Sequence, residues 1–211
     1  MPQVIIPWVI GGLAAIISFA IALRKTKKQL EGKKVMLFGP QESGKTTFVN
    51  WLTKDEQTTE HVATGTGDSH LYHDGENNTD YEFFDMGGAK EFLVGGVMQK
   101  KYEENDLILM FFDVNRYTSD KKNGAYRSDV NARFEALARL FKSKQKPILF
   151  IGSHSDKLDK DKQKSFQYNL VNLVDPGKDY YSFLCGQKFL LVNLTSKKDV
   201  KVIFKEITQL K

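Results

Sequence analysis

Residues 39–46 read Gly-Pro-Gln-Glu-Ser-Gly-Lys-Thr. They match the G-x-x-x-x-G-K-[ST] spacing in full, and what surrounds them leaves few folds open. An apolar run at 35–38 precedes the octapeptide and a helix-like run opens near Thr46. A strand, a tight glycine turn and a helix in that order gather the backbone N–H groups of the turn at a helix N-terminus, where aligned peptide dipoles attract an anion. Gly39, Gln41, Glu42, Ser43, Gly44, Lys45, Thr46 and Thr47 are the residues such a loop lays around phosphate. Lys45 would reach the β and γ oxygens, and the Thr46 hydroxyl would ligate Mg²⁺. A chance glycine turn carrying Lys and Thr would have to meet four specified positions and the strand-to-helix setting at once. The motif therefore points to a nucleoside triphosphate.

The amino terminus differs from the rest of the chain. Residues 1–23 contain no Asp, Glu, Lys, Arg or His, and 4–23 is an apolar 20-mer. Twenty residues make a helix of about 30 Å, the thickness of a bilayer core. Arg24, Lys25, Lys27, Lys28, Lys33 and Lys34, against the single acid Glu31, follow at once and carry the whole formal charge of +5. The basicity is thus local and points to anionic lipid, not to nucleic acid. A basic flank after the span predicts a cytoplasmic carboxy-terminal side, and Trp8 sits near the other end, where an interfacial aromatic belongs. A cleaved signal peptide would put its charges before the apolar stretch, and a core helix without a polar face would need a larger protein around it. The expectation is a transmembrane anchor over 1–23, a basic juxtamembrane linker over 24–32 and a globular domain over 33–211. Cys185 is the only cysteine, which excludes an intrachain disulfide and a cysteine metal cage.

From residue 33 onward, short apolar runs at 34–38, 81–84, 107–112, 147–151 and 188–193 alternate with amphipathic stretches, the pattern of an α/β domain with a mainly parallel sheet. Phe134, Leu137, Ala138 and Phe141 fall at helical spacing, as do Ile203, Phe204, Ile207 and Leu210. The D-G-E-N-N turn signal between 69–72 and 80–84 predicts an antiparallel hairpin. A triphosphate site also needs an acid at the end of a neighbouring strand to steady Mg²⁺. Asp85, ending the aromatic run 81–84, supplies it, and Gly88 would let a backbone N–H approach the γ-phosphate.

The loop, the hairpin, D-M-G-G at 85–88, the run L-I-L-M-F-F-D-V-N-R at 107–116, a long helix and the strand I-L-F-I-G at 148–152 together resemble the Ras-like small GTPases. Within these they are similar to the Arf-like branch and to the β subunit of the signal-recognition-particle receptor, which also has an amino-terminal membrane span. The resemblance covers roughly residues 33–211. It implies a phosphate-loop NTPase of α/β class, a Ras-like G domain with a mainly parallel six-stranded sheet flanked by helices, preceded by one transmembrane helix. It also implies GTP/GDP and Mg²⁺ as cofactors, membrane lipid and a protein effector or receptor as partners, and no nucleic acid.

The family reads its base with N/T-K-x-D, and the corresponding residues are Ser153-His154-Ser155-Asp156. A carboxylate at Asp156 can accept from guanine N1–H and N2–H₂, a donor pair that adenine lacks. Ser153 offers a hydroxyl where the family has an amide, and His154 a ring where it has a lysine stem. Otherwise the stretch is a polar loop after a buried strand. Thr195-Ser196-Lys197 is similar to the family's S-A-K, which brings backbone N–H to the guanine oxygen. Thr66, or Thr64 by the same spacing, would be the threonine that senses γ-phosphate through Mg²⁺.

The hydrolytic apparatus is incomplete. The residue after D-x-G-G is a water-orienting Gln in the family and Ala89 here, and residues 54–85 hold no Arg to act in cis. A partner could supply the missing groups, or His61, His70, His73, Lys90 or Glu91 could stand in; no catalytic residue is identified. Two functions stay open: a membrane-anchored GTP-dependent switch with slow or partner-assisted hydrolysis, and a scaffold or pseudo-GTPase that holds GTP without turnover. An ATPase or kinase is a third reading, should Asp156 not meet the base.

Overall fold

The computed structural model describes residues 32–54, 67–88, 93, 96–120, 124–166 and 170–210. The expected anchor, nearly all of the linker, Thr64, Thr66, His61, Ala89, Lys90 and Glu91 lie outside the described residues. Among the described residues no helix is long and apolar enough to cross a membrane.

In chain order the elements are β1 (Lys33–Phe38), α1 (Lys45–Lys54), β2 (Asp68–Asp74), β3 (Thr79–Asp85), α2 (Val97–Glu104), β4 (Leu107–Asp113), α3 (Val114–Ser119), α4 (Ala125–Ser143), β5 (Ile148–Ser153), α5 (Lys160–Phe166), α6 (Tyr181–Cys185), β6 (Lys188–Leu191) and α7 (Lys197–Gln209). Short 3₁₀ turns occupy Ser155–Lys157 and Leu170–Leu173. The six strands run β2-β3-β1-β4-β5-β6. All neighbours are parallel except the β2–β3 hairpin.

Burial follows strand position. Every residue of β4 is buried, as a central strand covered on both faces requires, whereas edge strand β2 alternates and leaves Leu71 exposed. Alternate residues feed opposite cores. Val35, Leu37, Leu109, Phe111 and Ile151 pack with Phe48 of α1 and Ile203 and Ile207 of α7. Met36, Phe38, Met110, Phe112 and Phe150 pack with Tyr102, Phe134 and Leu137 on the other side. Each such side chain contributes roughly 1.5–3 kcal/mol on burial, so the period-2 pattern of the strands also decides where the helices lie.

The chain leaves β1 toward β3 on one side and toward β4 on the other. That reversal of strand order puts a crevice at the carboxyl ends of the strands, where the loops after β1, β3, β4 and β5 meet.

Element limits depart from the sequence pattern for local reasons. β5 runs to Ser153, which pairs with Asp113 of β4, so the polar stretch begins inside the ladder. β6 ends at Leu191 because Asn193 turns to local bonds. Its Oδ1 accepts from the N and Oγ1 of Thr195 at 2.9 and 2.8 Å, and its N donates to Asp199 Oδ2 at 2.7 Å. These compete with continued pairing. α3 ends at Ser119 and α4 begins at Ala125. Asp113 caps α3 by accepting from Arg116 N at 2.9 Å.

Candidate functional site

The octapeptide turns at Gly39, whose φ of +149° places it where a side chain is strained. A Cβ there would stand 2.1 Å from the Phe111 carbonyl of β4. Glycine thus lets β1 end against its neighbour strand and release the chain into the loop. Gln41 and Glu42 lie exposed at the tip, with Glu42 at φ +59°. Ser43 is buried and its hydroxyl has no hydrogen-bond partner among the described residues. Gly44 lies against the Leu194 side chain, which brings the loop after β6 onto the phosphate loop. Lys45, Thr46 and Thr47 form the first turn of α1.

Lys45 is the electrostatic centre. Its ammonium is buried and donates to the carbonyls of Gly39 at 3.0 Å and Pro40 at 2.8 Å, so it folds back over the loop that carries it. Burial pulls its pKa down to about 8, against the attraction of Asp85 and with a smaller push from the Arg133 guanidinium. An anion in the loop restores the charge. With pKa near 8 in the empty site, binding requires proton uptake above that pH, and affinity for GDP should fall about fivefold between pH 8 and 9 while changing by about twofold or less below 8. Stability of the empty chain should move the other way. Between the folded pKa of about 8 and the unfolded value of 10.5 the unfolded chain holds more protons, so stability rises with pH in that window. Calorimetric titration from pH 7 to 9, with melts across the same series, reads both; a level affinity would contradict the assignment of Lys45.

Asp85 ends β3 at 0% exposure. Thr46 Oγ1 donates to its Oδ2 at 2.6 Å, and Oδ1 has no partner among the described residues. Burial raises its pKa, with Lys45 and the Thr46 hydrogen bond opposing. A hydroxyl touching a carboxylate with an orphaned oxygen suits a small hard cation that completes its shell with phosphate oxygens and water. Among the described residues no cluster of His, Cys, Asp or Glu could hold a metal by itself.

Gly88 follows on the same strand end. A Cβ on it would fall 2.4 Å from Gln41 N, so its backbone lies directly on the phosphate loop and no larger residue fits without displacing one of them. Its carbonyl accepts from Arg133 Nη2 at 2.7 Å.

The base-side residues assemble beside this loop. Ser153 Oγ lies 3.1 Å from the Phe112 carbonyl and 3.0 Å from His154 Nδ1. His154 adopts φ +57° and its ring sits 3.5 Å from Asp113; burial lowers its pKa, partly offset by Asp113. Asp156 is exposed in the 3₁₀ turn that follows. Ser155 N donates to Val192 O at 3.2 Å, which ties the turn to the loop after β6. There Thr195 is exposed, Ser196 is half-buried, and Lys197 opens α7. His70 and His73 stand on β2; His70 lies near enough to Asp85 to oppose the rise in its pKa, and His73 pairs with Asp80 at 2.7 Å.

Two arginines belong to the site: Arg116, the last residue of the run 107–116, and Arg133, which no motif marks. Arg116 Nη1 donates to Glu42 Oε2 at 2.9 Å and its guanidinium stacks 4.2 Å from the Tyr126 ring centre. It places a cation from the loop after β4 beside the tip of the phosphate loop. Arg133 is fully buried in α4, next to Phe38, Gly88 and Asp129. Its signal in the sequence is a charge on the stripe formed by Val130, Phe134 and Leu137.

No curated protein matches the chain significantly. A family profile described as 50S ribosome-binding GTPase matches residues 34–154. That stretch contains the phosphate loop, the β2–β3 hairpin, Asp85 to Gly88 and the strands through β5. The match spans more than half of the chain and agrees with the fold and with the order of its site elements, and the chain belongs to this GTPase family.

Proposed function

We propose that the protein is a membrane-anchored GTP-binding switch with slow or partner-assisted hydrolysis. The observation that carries this reading is the pairing of the buried Lys45 ammonium, held over its own loop, with the Thr46–Asp85 contact at 2.6 Å. Lys45 and the amides of the loop bind the phosphates, with Gly39, Gln41, Glu42, Ser43, Gly44 and Thr47 forming the cradle. Thr46, Asp85 and Thr66 are the groups for Mg²⁺, which when bound neutralises charge between the β and γ oxygens. Gly88 reports the γ-phosphate through its backbone. Asp156 selects guanine, assisted by His154 and by Thr195, Ser196 and Lys197.

Residues 1–23 act as the membrane span and 24–32 as its basic linker, which puts the domain of residues 33–211 on the cytoplasmic side. The charge-free 20-mer and the basic flank support this. Lipid and a protein effector or receptor are its partners. The family description names the large ribosomal subunit. The residues beyond 34 carry equal numbers of acids and bases, which gives no net electrostatic footprint for RNA, and ribosome binding is not carried over.

The second reading, a scaffold holding GTP without turnover, is favoured by one feature: Ala89 follows Gly88 where a water-orienting Gln would stand. A methyl group cannot hold the attacking water. Single-turnover assays on γ-labelled GTP separate the two. The switch reading expects phosphate release at about 10⁻⁴ s⁻¹ or slower without a partner. Retention of intact GTP with no release over days selects the scaffold, and rapid unassisted hydrolysis contradicts both.

A further inference from the structure

Arg133 is among the largest fully buried side chains of the described residues, with 0% of its surface exposed. Its surroundings do little to compensate a buried charge. One nitrogen, Nη2, donates to the Gly88 carbonyl at 2.7 Å and lies 3.3 Å from the Asp129 carboxylate. Nε and Nη1 have no hydrogen-bond partner among the described residues. Taking a guanidinium out of water costs several kcal/mol and a loosely set carboxylate returns only part of that. Filling this stripe of α4 with an apolar side chain would stabilise the core more.

The local geometry supplies a reason for the arginine. Gly88 is held from two sides, with the backbone of Pro40 and Gln41 filling the place a Cβ would take and Arg133 Nη2 on its carbonyl. The guanidinium also lies over the ring of Phe38, 5.1 Å from its centre. Phe38 is the last residue of β1, the strand that delivers the phosphate loop. One side chain therefore fixes the turn after β3 in register with the strand that carries the loop. The carbonyl belongs to the peptide that follows Gly88 and the N–H to the one before it, so the hydrogen bond acts on the N–H by holding the glycine between them in place on the loop.

We propose that Arg133 is the positioning residue for recognition of the third phosphate: by holding the Gly88 carbonyl it sets Gly88 on the phosphate loop, and so governs how far the site favours a triphosphate over a diphosphate. Arg133 does not touch the nucleotide. It acts through Gly88, and the inference rests on the phosphate-site reading given above.

The test uses the full chain and two probes, GDP and the non-hydrolysable imido analogue of GTP, with the ratio of their affinities as the readout. Arg133→Met is expected to lower that ratio about tenfold from the wild-type value, the scale of one ordinary hydrogen bond, while GDP affinity stays within about twofold. Arg133→Lys keeps the charge opposite Asp129 but shortens the reach of the donor to the Gly88 carbonyl, and is expected to restore part of the ratio. Asp129→Asn removes the ion pair without touching Gly88, and is expected to leave the ratio where it was. A role confined to stability predicts that both nucleotides weaken together, or that Asp129→Asn behaves like Arg133→Met; either result overturns the proposal. If Arg133→Met does not fold, Arg133→Lys decides: a lowered ratio supports the proposal and an unchanged one overturns it. A wild-type chain that binds neither probe removes the phosphate-site reading itself, whereas a wild type that binds both, with unchanged ratios in the variants, removes only the role of Arg133.

Discussion

Lys45→Ala is expected to abolish measurable nucleotide binding while leaving the chain folded. The ammonium is the only cation shown within the loop, and its loss removes a charge-assisted contact to phosphate in a water-poor site, about 3–5 kcal/mol or a factor of 10² to 10⁴ in affinity. The folded state should tolerate the change because the empty site already strains against this charge: burial pulls Lys45 down to about 8, so its removal takes away a desolvation cost along with two hydrogen bonds to the carbonyls of Gly39 and Pro40. Thermal melts distinguish loss of the site from loss of the fold. Wild type should gain melting temperature with saturating GTP by mass action. The variant should melt within a few degrees of the empty wild type and gain nothing. Undiminished GTP affinity in the variant would refute the site.

Asp156→Asn is expected to exchange guanine for xanthine. A carboxylate accepts from both donors on the guanine edge, whereas the amide presents a donor that suits the extra carbonyl of xanthine. Two hydrogen bonds to a charged acceptor are worth about 1.5–3 kcal/mol each, so GTP affinity should fall by roughly 10² to 10⁴ with XTP affinity rising. The surroundings favour a clean exchange. Asp156 is exposed and stands on a turn fixed by other bonds, Gln163 Nε2 to the carbonyls of Ser155 and Leu158 among them, so the substitution should leave the loop in place. A variant that keeps its guanine preference would remove Asp156 from the base site. ATP would then become the nucleotide to test.

The residues that were legible in the sequence share a physical trait: their patterns are short-range. The run 107–112 is apolar throughout because both faces of β4 are covered. The hairpin was legible because Asp74 makes its own turn, accepting from Glu76 N at 3.1 Å and Asn77 Nδ2 at 2.7 Å. The phosphate loop was legible for the same reason, since Lys45 acts on backbone five and six residues before it. What escaped depends on contacts far apart along the chain. α3 has six residues, too few to show a period, although its cap Asp113 could have announced it. α2 buries only Met98 and Tyr102, and its end is tied down by Lys146, which donates to the Tyr102 and Glu103 carbonyls from 44 and 43 residues away.

Arg116 and Arg133 show how the site extends past its motifs. Arg116 lies 74 residues from Glu42 and Arg133 lies 45 from Gly88, separations that no local pattern spans. A charged residue in a helix is normally solvated, which is why position 133 reads as surface until the flanking Val130, Phe134 and Leu137 are seen to share its face. Both arginines near the loop enter from beyond β4.

The central claim is that the loop of residues 39–46 holds a guanine nucleotide, and the most direct measurement is mass-spectrometric identification of what co-purifies with the full chain, repeated on Lys45→Ala. The account predicts GTP or GDP at close to one per chain in the wild type and none in the variant. ATP in place of a guanine nucleotide, or the same occupancy in both proteins, would contradict it.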